Sequence, residues 1–127
     1  MERDRAGREP LHYAALEGRV DEVREAIARG DELGTADDAG FTPLHFAAQQ
    51  GKADVTKVLL EAGAPLEGTN KYGNSPLWVA VMNARTGDGK EVVSLLIAAG
   101  ASIDATNESG VSVRDLAERM GIDLRQQ

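Results

Sequence analysis

Residues 37–51 read DDAGFTPLHFAAQQG, and the parts of this stretch recur along the chain. Its Pro-Leu-His, at residues 43–45, recurs at residues 10–12, and Pro-Leu-Trp stands at residues 76–78, so both intervals are 33 residues. The opening Asp-x-x-Gly recurs in phase, as Asp or Asn with Gly three residues later, at residues 4–7, 70–73 and 107–110. A pattern that returns at one fixed period indicates an array of similar stacked units.

The physical chemistry of one unit is clearest in this second copy. Residues 37–40 predict a tight turn, in which Gly supplies a backbone conformation that other residues resist. Thr42 then caps a helix, and Pro43 occupies the first helical position, where its missing N–H costs nothing. Apolar residues at helical spacing within 44–48 form a stripe, and Gly51 predicts the end of the helix.

A second helix is predicted over residues 53–62, with its own apolar stripe and with Gly63 as the stop. The stripe consists of Val55, Val58, Leu59 and Ala62. One such unit cannot bury its apolar face alone, so the units stack into an elongated solenoid. We expect one domain over 1–127, with four units at about 4–36, 37–69, 70–106 and 107–127.

This pattern resembles the ankyrin family, whose hallmark is a 33-residue unit around Thr-Pro-Leu-His-x-Ala. The resemblance extends from about Asp4 to about Gly121. It implies an all-α solenoid of stacked helix–turn–helix units with short β-hairpin turns. It also implies a protein that binds another protein and is not an enzyme.

Three departures from the pattern are informative. Glu9 stands where the family prefers Thr, and the charged second helix over 20–29 predicts an N-terminal cap. Residues 112–117 replace the motif in the fourth unit and leave room for only a short second helix after Gly121, which predicts a C-terminal cap. The third unit has four extra residues within 83–90, which either form part of a binding face or are a tolerated surface insertion.

The composition narrows the class of partner. The net charge of −7 argues against nucleic acid and against an anionic membrane surface. It suits a basic protein partner, or it serves solubility alone. The chain has no cysteine and starts with a charged segment that no apolar stretch follows. We therefore expect a cytoplasmic protein that is a monomer on its own, without disulfides, signal peptide or membrane anchor.

Neither a cofactor site nor a catalytic site is predicted. The loop at 87–90 fails as a phosphate-binding loop, because Ala84 and Glu91 stand where Gly and Ser or Thr are needed. His12 and His45 occupy the same slot one repeat apart, and the resemblance implies that each ring ties neighbouring loops together through hydrogen bonds. No metal site and no general base are therefore expected there.

The resemblance places partner binding at the turn tips and at the adjoining ends of the inner helices, where residues differ between copies while the scaffold repeats. The candidate binding residues are Arg8, Asp38, Phe41, Gln49, Gln50, Lys71, Tyr72, Asn74, Trp78, Met82, Asn83 and Arg85. Phe41, Tyr72, Met82 and Trp78 predict an apolar patch with a polar rim. The alternative is that a tip aromatic shields its own hairpin or packs on the next one, and that Trp78 packs against neighbouring helices.

The function expected from these features is protein–protein interaction on the concave face. Two alternatives are an inhibitor or immunity-type protein that neutralises a toxin or other enzyme, and a non-catalytic assembly subunit of a larger complex.

Overall fold

A computed structural model of the chain describes residues 3–125, and the predicted domain limits at residues 1 and 127 lie outside this span. Seven α-helices occupy it. They are α1 Pro10–Glu17, α2 Val20–Ala28, α3 Pro43–Gln50, α4 Ala53–Glu61, α5 Pro76–Met82, α6 Gly89–Ala98 and α7 Val113–Met120. Helices α1, α3, α5 and α7 stack as an inner row, and α2, α4 and α6 stack as an outer row. The all-α solenoid predicted from the repeat is confirmed.

Helix α3 begins and ends as its sequence predicts, and α5 begins in the same way. The Thr42 hydroxyl accepts the backbone N–H of His45 at 3.3 Å, and Ser75 does the same for Trp78 at 3.2 Å. Each of these caps satisfies an N–H that has no partner within the first helical turn. Gly51 ends α3 with φ 65°, in the left-handed region that favours glycine.

The core lies between the two rows of helices. Leu44, Val55 and Leu59 of the second unit are at most 1% exposed. The stripe predicted for α4 is shorter than expected, because Val58 is half-buried and Ala62 lies exposed beyond the end of the helix. Small and branched side chains fill most of this core, which suits helices that pack closely.

The turn tips close through side-chain bonds. Asp37 Oδ1 accepts the N–H groups of Ala39 and Phe41, at 3.0 and 2.8 Å. The same pair of bonds is made by Asp4, Asn70 and Asn107. The resemblance implied short β-hairpins, but within residues 3–125 extended pairing is limited to one isolated bridge, between Thr106 and Ser112. The tips are too short for a strand ladder once the Asp or Asn oxygen takes two amides.

Neighbouring tips are joined by backbone hydrogen bonds. The N–H of Asp38 donates to the carbonyl of Ala6 at 2.8 Å. In the same way Lys71 donates to Ala39 at 2.9 Å, and Glu108 donates to Tyr72 at 3.1 Å. Gly40 makes this approach possible, since a Cβ there would lie 2.7 Å from Cα of Asn70. The tips therefore form one continuous edge along the stack.

In each of the first three inner helices, a ring N–H bonds to the loop that leads into the next inner helix. His45 Nδ1 accepts the Thr42 N–H at 3.1 Å, so its proton is on Nε2, which donates to the Asn74 carbonyl at 2.8 Å. His12 bonds the Thr35 carbonyl at 2.8 Å, and the Trp78 indole N–H donates to the Val111 carbonyl at 3.3 Å. The histidines therefore have the structural position that the resemblance implied.

The last unit is reduced to one helix within the described residues. No second helix follows Gly121 there, and Ile122 and Leu124 pack against the core instead. Arg114 takes the slot of the buried leucines of the earlier units, but it is exposed and pairs with Asp104 at 3.0 Å. A charged side chain at this slot gives α7 a polar outer face, as a terminal repeat needs.

His45 makes the fold sensitive to acid. Burial lowers the pKa of its imidazole below the ordinary 6.5, against the opposing effects of the Asn74 carbonyl and Asp37. The unfolded chain therefore binds a proton at this imidazole more readily than the folded one. The contribution of His45 to the free energy of unfolding is present above about pH 6.5 and is lost as the pH falls. Urea unfolding between pH 7.5 and 5.5 should show a larger loss of stability for wild type than for His45→Gln. The other ionisable groups are the same in both proteins, so their effects cancel in the comparison. Parallel profiles of the two proteins would therefore contradict this role of His45.

Candidate functional site

Each tip has an outward and an inward position. The outward positions are the two residues before the tip glycine. Lys71 and Tyr72 in the third unit are exposed there, whereas Ala6 and Ala39 in the first two units are partly exposed. The residue after the glycine lies back on the inner helix and is only partly exposed. These inward residues are Arg8, Phe41, Asn74 and Val111. The sequence prediction placed the first three of them among the binding residues.

Phe41 packs inside its own unit. Its ring stacks on Phe46 with centroids 5.3 Å apart and meets the His45 ring edge-on at 5.6 Å. Phe46 is 4% exposed and also contacts the ring of His12. Most of the Phe41 ring is therefore engaged in packing, which supports the alternative interpretation of this residue.

Arg8 lies between two rings. Its Cζ is 4.8 Å from the centroid of Phe46 and 5.7 Å from that of Tyr13. Its Nε donates to Asp37 Oδ2 at 3.1 Å, and the Asp37 side chain is 1% exposed. This bond raises the pKa of the Arg8 guanidinium above its ordinary value. A buried carboxylate needs such a partner, so Arg8 links the first two units.

A second carboxylate lies beside this cluster. Asp4 accepts a short hydrogen bond from the Tyr13 hydroxyl. That bond, followed by the Arg8 amide, lowers the pKa of Asp4, and the same contact raises the pKa of Tyr13. The network fixes the first tip against α1.

Trp78 and Asn74 also face inward. Trp78 is 8% exposed and its one polar atom is bonded, which leaves it little surface for a partner. Packing between helices is the interpretation that its burial supports. Asn74 gives its carbonyl to His45, while its Oδ1 is buried without a hydrogen-bond partner among residues 3–125.

Two large apolar side chains remain on the surface. Among residues 3–125, Tyr72 is 53% exposed and Met82 is 46% exposed. The ammonium of Lys71 lies 5.1 Å from the centroid of the Tyr72 ring, a cation–π contact that orients the ring. Both exposed residues belong to the third unit and to the predicted set.

The predicted residues do not form one patch. Asp38, Lys71 and Tyr72 lie exposed on the tips, whereas Gln50, Met82 and Arg85 lie exposed at the far ends of the inner helices. Gln49 and Asn83 are partly buried there, and the Asn83 amide bonds back to the Val79 carbonyl at 2.9 Å. The seven residues of α5 separate the two groups by about 10 Å. A partner would have to span the inner helices to contact both.

The net negative charge does not lie on the tips. Their outward positions carry Arg5 and Lys71 against Asp38 and Glu108, which balance. The outer helices α2 and α4 carry five exposed acidic residues against two basic ones. The tips therefore give no electrostatic preference for a basic partner.

Two other features bear on the class of site. Residues 3–125 contain no group of three or more His, Cys, Asp or Glu side chains arranged to hold a metal ion. Over the same span no helix is long and apolar enough to cross a bilayer.

A solenoid of helix pairs with bonded turn tips defines a repeat protein, and comparison with known families gives the particular class. The family model described as ankyrin repeats, in three copies, matches residues 11–107, about three quarters of the chain. The chain therefore belongs to the ankyrin-repeat family. No curated protein matches it. Ankyrin repeats are in general protein–protein interaction modules and are typically not enzymes.

Sequence reasoning missed three contributors to the surface. Tyr13, Phe46 and Asp37 hold Arg8 and thereby set the shape of the first two tips. The sequence signal that could have found them is a relation between two positions of the repeat. A large side chain directly after the tip glycine needs a surface on the inner helix to pack against. Tyr13 and Phe46 occupy one such helix slot, in successive units.

Arg8 should contribute to stability, because its removal leaves the buried Asp37 carboxylate without its charged partner. We expect Arg8→Ala to lower the free energy of unfolding by about 1–3 kcal/mol. Arg5→Ala, at an exposed outward position, should change it by less than about 0.5 kcal/mol. Urea denaturation of the two variants beside wild type checks this, and equal effects would mean that the Arg8 cluster is not stabilising.

Proposed function

We propose that the chain is a non-catalytic module that holds a partner protein against the tips and inner-helix ends of its second and third units. The observation that carries the proposal is the exposure of Tyr72 and Met82. Aromatic side chains and Met are enriched in protein interfaces, and here they stand at positions that vary between otherwise similar units. A scaffold residue would be expected to recur, so their presence needs another reason.

The contact would be centred on two apolar anchors. Tyr72 offers a large surface with few rotatable bonds, and Lys71 already orients its ring, so binding would cost little conformational entropy. Met82 offers a flexible apolar contact that adapts to the partner's shape. Exposed Asp38 and Gln50 would lie at the polar rim. The bonded tips keep the part of this surface around Tyr72 rigid.

The balanced tip charges favour a partner chosen by shape and apolar contact more than by a basic surface. Such binding would serve one of two alternative functions. The chain would inhibit a toxin or other enzyme, or it would help to assemble a larger complex. The cysteine-free composition agrees with the cytoplasm as the site of action. We expect the free chain to be a monomer.

The proposal is tested with Tyr72→Ala/Met82→Ala. Wild-type chain is used to capture a partner from native lysate, the partner is then purified, and its dissociation constant is measured by calorimetry. We expect the double variant to bind at least tenfold more weakly, a loss of about 1.4 kcal/mol or more. Its circular dichroism and urea unfolding should stay close to wild type, because both side chains are exposed.

The matched control is Lys57→Ala/Glu61→Ala, which truncates two exposed side chains on α4, in the outer row. This variant should bind the partner as tightly as wild type. Unchanged affinity of the Tyr72/Met82 variant, or a comparable loss in the α4 control, would place the interface elsewhere. Adding the partner's own assay then separates inhibition from assembly, since only an inhibitor lowers the partner's activity on mixing.

A further inference from the structure

The four-residue insertion of the third unit lies within residues 83–90, which we call the insertion. Residues 83–88 form tight turns, in which the Thr86 N–H donates to the Asn83 carbonyl at 2.9 Å, and α6 begins at Gly89, whose N–H donates to the Thr86 carbonyl at 2.9 Å. The insertion also reaches back to the previous unit, because the Asp88 N–H donates to the Gly51 carbonyl at 3.0 Å. A loop that used only its own bonds would lack this contact.

The insertion fits closely against the turn that joins α3 to α4. A Cβ at Gly51 would lie 2.0 Å from the Thr86 carbonyl oxygen, and a Cβ at Gly87 would lie 2.9 Å from that of Gln50. The equivalent turn of the first unit is different. There a Cβ at Gly18 would meet only the flexible side chain of Lys52, at 3.1 Å. The backbone-to-backbone approach therefore belongs to the unit next to the insertion.

The insertion also contacts the other side of the stack. Ala84 is 3% exposed and forms part of the hydrophobic core. Arg85 Nη2 donates a long hydrogen bond, of 3.4 Å, to the carbonyl of Met120 at the end of α7. The third unit is thereby linked to the last helix as well as to the second unit.

We propose that the insertion is an internal clasp that couples the second, third and fourth units into one cooperative block. Its position supports this role, because it follows the end of α5 that is farthest from the tips. In a solenoid each unit contacts only its neighbours, so an extra link to both neighbours of the third unit changes how far local opening spreads. The proposal goes beyond partner binding and does not depend on it.

The sharpest test compares Gly51→Ala with Gly18→Ala. Both glycines end an inner helix with positive φ, 65° and 74°, so the backbone strain of the substitution is shared. Only Gly51→Ala should displace the insertion. We expect trypsin to cleave it after Arg85 at least tenfold faster than in Gly18→Ala. Cleavage after Arg24, in the first unit, should proceed in Gly51→Ala at the wild-type rate, which distinguishes local release from global unfolding.

Wild-type hydrogen exchange tests the same contact without any substitution. Asp88 is an exposed residue, yet its amide should be protected from exchange to the same degree as the amide of Val92 in α6. Exchange of Asp88 at the rate of an unstructured peptide, or equal loop cleavage in the two glycine variants, would overturn the clasp.

The link to α7 has its own readout. Arg85→Ala should speed exchange of the Ile122 amide, which bonds the Ala117 carbonyl at the end of α7, several-fold relative to Lys90→Ala. Lys90 is the matched control, since it is an exposed basic residue of the same insertion. Equal exchange of Ile122 in both variants would remove the fourth unit from the proposed block.

Discussion

The placement of the second, third and fourth tips depends on a ring nitrogen buried in the preceding inner helix. In the second unit the His45 Nε2–H reaches the Asn74 carbonyl, while its Nδ1 takes the amide of Thr42, so one ring joins the start of its own helix to the next tip. The adjacent helix and the adjacent tip are thereby fixed in one geometry. The price of burying a polar ring is small here because both nitrogens are bonded.

The third unit keeps this connection with different chemistry. Trp78 replaces His and has one N–H and no acceptor, so it donates to the Val111 carbonyl and cannot accept the amide at the start of its helix. The backbone N–H of Trp78 donates to Ser75 Oγ, which supplies the helix cap. The indole also fills more of the space between units. The same slot therefore serves the same link with two kinds of side chain.

The period, the helix starts and the helix stops could be predicted from the sequence, because each follows from local chemistry such as Thr42 before Pro43. The fate of the tip aromatics could not. Phe41 and Tyr72 are both tip residues, but one follows its glycine and packs on Phe46, whereas the other precedes its glycine and stays exposed. That difference depends on how a tip folds back over its inner helix. Tertiary contact, and not composition, therefore decides which candidates remain on the surface.

Two contacts fix the third unit against both of its neighbours. Trp78 binds it to the tip of the fourth unit, and the insertion meets the Gly51 turn of the second unit. Of the described residues, this unit also carries the large apolar side chains that stay exposed, Tyr72 and Met82. Exposed apolar surface recognises a partner best when it is held rigid, since less ordering is left to binding. A unit fixed from both sides is therefore a suitable place in the stack for such residues.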